Sequence, residues 1–200
     1  MPMTCAFCGV RCKQYEGFFC AGCLTDLPWR SDHCDANVAP LSIVAAPLEY
    51  DFPVDAALKA LKFRRRLDYV SGLSELLWRV MSDLPEDIDA LLPMPLHWHR
   101  QAMRGFNQAL ELSRPLQKRI SLPFVHGLRR ARSTPFQSGL DADARKRNLR
   151  GAFVATEAIA AKHVLIVDDV ITTGESCRQL AMVLLDAGAE KVSALAVARA

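Results

Sequence analysis

Residues 164–176 read Val-Leu-Ile-Val-Asp-Asp-Val-Ile-Thr-Thr-Gly-Glu-Ser. Val164 to Val167 form an unbroken aliphatic run, which suits a strand covered on both faces, the usual state in a parallel α/β sheet. Asp168 and Asp169 then fall at the strand's carboxyl end, the edge at which open α/β sheets bind their ligands. Thr172, Thr173, Gly174 and Ser176 follow at a predicted helix start, where free backbone N–H groups and the helix dipole favour an anion. A monophosphate fits such a cup. The paired carboxylates beside it can accept hydrogen bonds from vicinal sugar hydroxyls or hold Mg²⁺ through water. Phosphate at one end and a diol at the other predict a ribose 5-phosphate ligand. The stretch has no Gly-Lys-Ser/Thr and no lysine in its loop, which argues against a P-loop. An ordinary βα turn with capping acids is the simpler alternative, but an acid pair ahead of a hydroxyl-glycine turn is rarer than a generic N-cap.

The order of four apolar residues, two acids and Thr-Thr-Gly resembles the phosphoribosyl pyrophosphate (PRPP) motif of the type I phosphoribosyltransferases. That resemblance implies that Asp168 and Asp169 meet the ribose hydroxyls, while Thr172, Thr173, Gly174, Glu175 and Ser176 grip the 5-phosphate.

A second signal lies at the other end of the chain. Cys5 and Cys8 form one CxxC knuckle and Cys20 and Cys23 another, with Gly9 and Gly22 beside them. Four thiolates so spaced can close a tetrahedral shell around Zn²⁺, with residues 9–19 as a hairpin. Disulfide or thiol redox chemistry is the competing reading, and no secretory signal pattern supports the oxidising compartment that disulfides need. Cys12, His33 and Cys34 do not complete a second set of four, and Cys177 reads as a small packed residue.

A zinc ribbon ahead of a type I phosphoribosyltransferase domain resembles the layout of the ComF family, which includes competence-associated proteins. Further stretches carry the likeness: Lys62-Phe63-Arg64, Pro93-Met94-Pro95-Leu96 with Arg104-Gly105-Phe106-Asn107-Gln108, and Arg145 through Phe153. The expected fold is therefore α/β, a type I phosphoribosyltransferase-like doubly wound parallel sheet with a small N-terminal zinc ribbon. Residues 1–40 would be the ribbon and connector, and residues 41–200 the main domain. The resemblance implies that the loop holding Pro95 and Leu96, with Arg104 and Asn107, binds the pyrophosphate of PRPP, and that Asp168, Asp169 and Arg104 act in catalysis. It further implies structural zinc, Mg²⁺ carried with PRPP, and contacts with single-stranded DNA and DNA-uptake proteins.

Composition is consistent with one compact domain. Half of the 200 residues are hydrophobic, enough to bury a substantial core. No apolar run approaches the eighteen or so residues of a membrane span, so a cytoplasmic protein without membrane insertion is expected. The net charge of +3 conceals an asymmetry: residues 97–150 hold twelve Lys or Arg against three acids. Such a segment suits phosphate, and Trp98, Phe106 or Phe136 can stack on bases.

Coarse periodicity predicts strands at Leu41–Leu48, Ile88–Leu92, 163–167 and 191–197, and an extended piece near Leu122–His126. Helices are expected over 54–66, through Leu73 to Leu84, over 107–119 and over 174–187. Arg100, Arg145, Arg147 and Arg150 are further phosphate candidates, and His97, His99 and His126 are possible acceptor bases by residue type alone. Three roles fit the pattern: glycosyl transfer from PRPP to a base or amine, a PRPP-sensing or single-strand-handling module, and a scaffold organised by zinc.

Overall fold

The computed structural model describes residues 4–12, 17–36, 38–131 and 151–200. The expected basic block Arg145–Arg150 and Phe136 lie outside the described residues.

A mostly parallel sheet forms the centre. Its middle strands are β7 (His163–Ile171) and β8 (Lys191–Arg199), paired in parallel over most of their length. β4 (Ala90–Pro93) lies parallel on the far side of β7. On the outer side of β8 come β2 (Ile43–Ala45) and β3 (Leu48–Glu49), both parallel to it, and β1 (Cys34–Ala36) closes that edge antiparallel to β2. A separate antiparallel pair joins β5 (Leu128–Arg130) to β6 (Phe153–Ala155).

Helices cover both faces. α2 (Val54–Arg64) buries Val54, Ala57, Leu58 and Leu61, the i, i+3, i+4, i+7 stripe of an amphipathic helix. α3 (Tyr69–Trp78) and α5 (Gln108–Ile120) join it, tied by Ser74 Oγ donating to the Leu112 carbonyl at 2.9 Å. Leu165, Val167, Leu195 and Val197 face this layer, whereas Val164, Ile166, Val192 and Ala194 face α6 (Glu175–Asp186) through Leu180, Ala181 and Leu184. The two-residue period of the strand sends alternate side chains to opposite layers, so a continuous apolar run is required.

Most expected elements are present, with informative differences. The single strand expected at Leu41–Leu48 is two short ones, because Pro47 has no N–H to give the ladder. β7 continues four residues past Val167, since Val170 and Ile171 pair with Ala198 and Arg199. The acids therefore lie inside the strand rather than at its end. Leu122–His126 runs beside β4, with the Leu91 N–H donating to Pro123 O and the Val125 N–H to Leu91 O. The short helix α4 (Trp98–Arg104) was not foreseen; none of its residues is buried, so it carries no apolar stripe. Among the described residues no helix is long and apolar enough to cross a membrane.

The cysteine-rich N-terminus packs directly onto this body. Phe19 and Leu27 are buried in the same core as α2, α3 and α5, and Phe19 stacks on Phe7 with ring centroids 5.1 Å apart. Gly72 on α3 is the contact point: a Cβ there would lie 2.9 Å from Ala6 Cβ and 3.1 Å from the Phe19 ring.

At the sheet edge opposite the Thr-Thr-Gly turn, buried His163 bonds Asp87 through Nδ1 at 2.7 Å and Ser193 Oγ through Nε2 at 2.9 Å. Lys191 also reaches Asp87 at 2.7 Å.

Two outcomes are expected. Gly72→Ala forces the ribbon off α3 and lowers stability by about 1–3 kcal/mol, the usual range for overpacking, measurable by denaturant titration. The Lys191 ammonium, and then His163, hold the Asp87 carboxyl down to about 2. A carboxyl depressed in the folded state stabilises above its ordinary pKa and loses that contribution as pH falls through the folded value. Stability should thus decline between about pH 4 and pH 2, and Asp87→Asn should flatten that part of a melting-temperature profile; an unaltered profile would contradict the linkage.

Candidate functional site

The carboxyl edge of β7 gathers the expected residues, with a division of labour between the two acids. Asp169 is 3 % exposed and turned toward α2 and α5. Its Oδ2 pairs with the Lys62 ammonium, and its Oδ1 accepts a hydrogen bond from Gln108 Nε2 at 3.2 Å. Gln108 Oε1 in turn accepts from the Arg104 guanidinium at 2.9 Å, and that guanidinium lies 5.4 Å from the centre of the Phe63 ring. Arg104, an expected phosphate ligand, thus reaches the acid pair through Gln108.

Asp168 is the more open acid. Its Oδ1 accepts from the Asp169 N–H at 2.8 Å. Burial, and then the neighbouring Asp169 carboxylate, push the Asp168 carboxyl well above the usual carboxylate range. Arg130 on β5 lies within electrostatic reach of it. One acid is thereby paired with a fixed lysine, while burial beside that acid favours the protonated form of the other, which can then donate as well as accept a hydrogen bond.

The turn after β7 has the form the sequence predicts. Thr172 and Thr173 are exposed, and Gly174 caps α6 at φ 72°. A Cβ at Gly174 would meet only Ile171 Cγ2, at 3.9 Å. Glycine is needed there for its left-handed backbone rather than for space. Ser176 is half-buried in the first turn, whose N–H groups have no acceptors within the helix. Glu175 is buried, and its carboxylate accepts from Gln179 at 2.8 Å. Its backbone N–H donates to Thr173 Oγ1 at 3.5 Å, inside the turn.

The proline-flanked loop lies alongside. The Met94 N–H donates to Val167 O at 2.8 Å, which carries the end of β4 up to the residue before Asp168. Asn107 fixes this loop, since its Nδ2 donates to Met94 O at 3.0 Å while its Oδ1 caps α5 by accepting from the Ala109 and Leu110 N–H groups. Both ends of the Asn107 amide are committed to the fold. Pro95 and Leu96 border an open groove of about 500 Å³ whose wall also includes Trp98, Phe124, His126 and Arg130. His97 is buried and caps α4 by accepting from the His99 N–H at 3.3 Å. Burial, then Arg130, His99 and Arg100, hold its imidazole below the ordinary histidine range.

Lys62 and Gln108 fall within stretches singled out in the sequence, but their roles there were not legible. Lysine spacing alone does not reveal which buried acid it will meet.

Four sulfurs converge at the N-terminus. The Sγ atoms of Cys5, Cys8, Cys20 and Cys23 all lie within 4.8 Å of one another, and Cys8 Sγ is 3.7 Å from Cys20 Sγ. Zn–S bonds of about 2.3 Å in a tetrahedron require sulfurs about 3.8 Å apart, so the set suits a structural metal such as zinc. The Cys23 N–H donates to Cys20 Sγ at 3.5 Å, turning an N–H toward a thiolate. Burial raises the Cys5 thiol, but N–H groups of Cys8, Cys20 and Phe7 outweigh it and lower the thiol to about 6. His33 is engaged by Asp83 at 2.9 Å. Among the described residues there is no second group of ligands.

No family model matches the chain. It is 30 % identical to competence protein F of Haemophilus influenzae over 94 % of its own length and 88 % of that protein's. It is 31 % identical to the DNA utilization protein YhgH of Escherichia coli and of Shigella flexneri, over 98 % of this chain and 89 % of each relative. The chain belongs to the ComF family. In this ComF-family chain the matched region extends over nearly the whole length, cysteine-rich N-terminus and main sheet alike.

Cys20→Ser is expected to abolish stoichiometric zinc by atomic absorption. Because Phe19 rests on Gly72, it should also raise hydrogen exchange in α3 as well as in the ribbon. Retention of zinc at the wild-type ratio would remove the tetrathiolate assignment.

Proposed function

We propose that the chain binds PRPP or a closely related pentose phosphate at the carboxyl edge of β7, and that it transfers the phosphoribosyl group to a base or amine with loss of pyrophosphate. The observation that carries this reading is the juxtaposition of an exposed Thr172-Thr173-Gly174 turn at a helix N-terminus with the half-open carboxylate of Asp168. The first binds a monophosphate through N–H and hydroxyl donors, and the second accepts from a sugar diol.

Residue roles follow from the contacts. Asp168 takes the ribose hydroxyls, whereas Asp169 positions the site, because Lys62 and Gln108 already occupy its oxygens. The Thr172, Thr173 and Ser176 hydroxyls and the N–H groups from Gly174 onward take the 5-phosphate. The loop at Pro95 and Leu96 presents backbone N–H groups to the pyrophosphate, with Arg104 adding charge. The chain's contribution to catalysis is electrostatic: fixed donors and an arginine stabilise the leaving group as the ribosyl carbon becomes oxocarbenium-like. Mg²⁺ would be held at Asp168, the acid that no lysine occupies, where it would displace the carboxyl proton and supply charge to shield pyrophosphate. A cytoplasmic site of action accords with such a metabolite.

A second reading is supported by the names of the relatives, competence protein and DNA utilization protein. In it the same site is a sensor or adaptor, and the chain handles single-stranded DNA together with DNA-uptake proteins. The ribbon would then present a partner surface.

The test of the first reading is calorimetric titration with Mg-PRPP, followed by pyrophosphate release across a panel of bases and amines. Asp168→Asn should weaken PRPP tenfold to a hundredfold, the loss of about 1.5–3 kcal/mol of charge-assisted hydrogen bonding, with an unchanged melting temperature. Undiminished affinity would refute the assignment, and binding without pyrophosphate release would favour the sensor.

A further inference from the structure

Gln108, the first residue of α5, is buried, and its amide touches two charged groups of opposite sign. Its Nε2 donates to Asp169 Oδ1 at 3.2 Å, and its Oε1 accepts from the Arg104 guanidinium at 2.9 Å. A carboxylate can only accept and a guanidinium can only donate, so a neutral amide between them satisfies both. The same charges fix which way the amide faces, since a flipped amide would set its NH₂ against the guanidinium and its oxygen against the carboxylate. Asp169 is itself anchored by Lys62. Lys62, Asp169, Gln108 and Arg104 thus form one line of polar contacts that runs from α2 through β7 and α5 to the end of α4.

The far end of that line is Arg104. α4 has no buried residue, so apolar packing does not fix its end, and Arg104 is its last residue before Gly105 turns the chain at φ 81°. An arginine placed there must give up rotamer freedom when a ligand orders it. The bond to Gln108 and the Phe63 ring, 5.4 Å from the guanidinium, remove that freedom beforehand. A purely structural glutamine would need only its Nε2, which satisfies buried Asp169. Its Oε1 instead engages the arginine to which the phosphoribosyl reading gives the pyrophosphate.

We propose that Gln108 is a positioning residue for the leaving group: anchored on Asp169, it holds Arg104 where the pyrophosphate of the ligand arrives, and it acts through Arg104 rather than by touching the ligand. The inference rests on the phosphoribosyl reading above and deepens it, because it assigns the orientation of the pyrophosphate-binding charge to a side chain outside the acid pair and the Thr172-Thr173-Gly174 turn.

The experiment is calorimetric titration of the full chain with two separate probes, Mg-pyrophosphate and ribose 5-phosphate. Wild type should bind both. Gln108→Met keeps the length of the side chain but removes both bonds; it should weaken pyrophosphate about tenfold, the scale of one charge-assisted contact, and ribose 5-phosphate less than about twofold. In an Arg104→Met background the same substitution should have no further effect on pyrophosphate, because the group it positions is gone. Gln108→Asn keeps an amide but is one methylene too short to reach both partners, and it supplies the same comparison should the methionine variant fail to fold. Equal losses for the two probes, undiminished pyrophosphate affinity, or additive losses in the double variant would each overturn the inference and leave the phosphoribosyl reading standing. Wild type that takes ribose 5-phosphate but no pyrophosphate overturns the inference as well, and wild type that binds neither probe nor Mg-PRPP overturns both.

Discussion

A carboxylate as buried as Asp169 can remain ionised only beside a counter-charge, and Lys62 is that charge. Much of the site's organisation follows from this pair. It fixes the last turn of α2 against β7, and Gln108, bonded to the other oxygen, brings in the first turn of α5. Asn107, one residue earlier, holds the loop after β4. Removing one partner of a buried pair typically costs about 3–5 kcal/mol because the other is stranded. The arrangement of α2, α5, β4 and β7 around the cleft is thus enforced by polar contacts as well as by apolar packing.

The same pair breaks the symmetry of two adjacent aspartates. Side chains alternate along a strand, so Asp169 enters the α2–α5 layer while half-buried Asp168 falls on the α6 side, as Val164 and Ile166 do. With Asp169 already held by Lys62 and Gln108, Asp168 is the more accessible acid of the two. Parallel pairing then supplies the rest: β4 and β7 run the same way, so the loop after one and the turn after the other open on the same side of the sheet.

The parts of this arrangement that depend on local pattern were legible in the sequence. The aliphatic run of β7, the glycine demanded by a left-handed cap at Gly174, and the paired CxxC knuckles each announce themselves through spacing and residue type. What depends on long-range pairing was not legible. Nothing near Asp169 in the chain says that its counter-ion sits more than a hundred residues earlier. Nothing in Asn107 says that its amide will be consumed by Met94 O and a helix cap rather than by a ligand. The extra length of β7 was missed for a related reason: acids are poor strand formers, yet Val170 and Ile171 beyond them pair with β8 and carry the strand through.

The N-terminus illustrates how a four-cysteine cluster can belong to the main core. A few dozen residues bury too little apolar surface to fold unaided, so four thiolates around a metal would hold the loop that presents Phe7 and Phe19. Phe19 is then buried against α3, at the one position where glycine leaves room for it. α3 packs on α5 through Ser74 and Leu112, and α5 begins at the Asn107–Gln108 pair that serves the acids. A contiguous packed path therefore links the four cysteines to the cleft, so a metal bound there would add its binding free energy to the stability of the layer that carries the site.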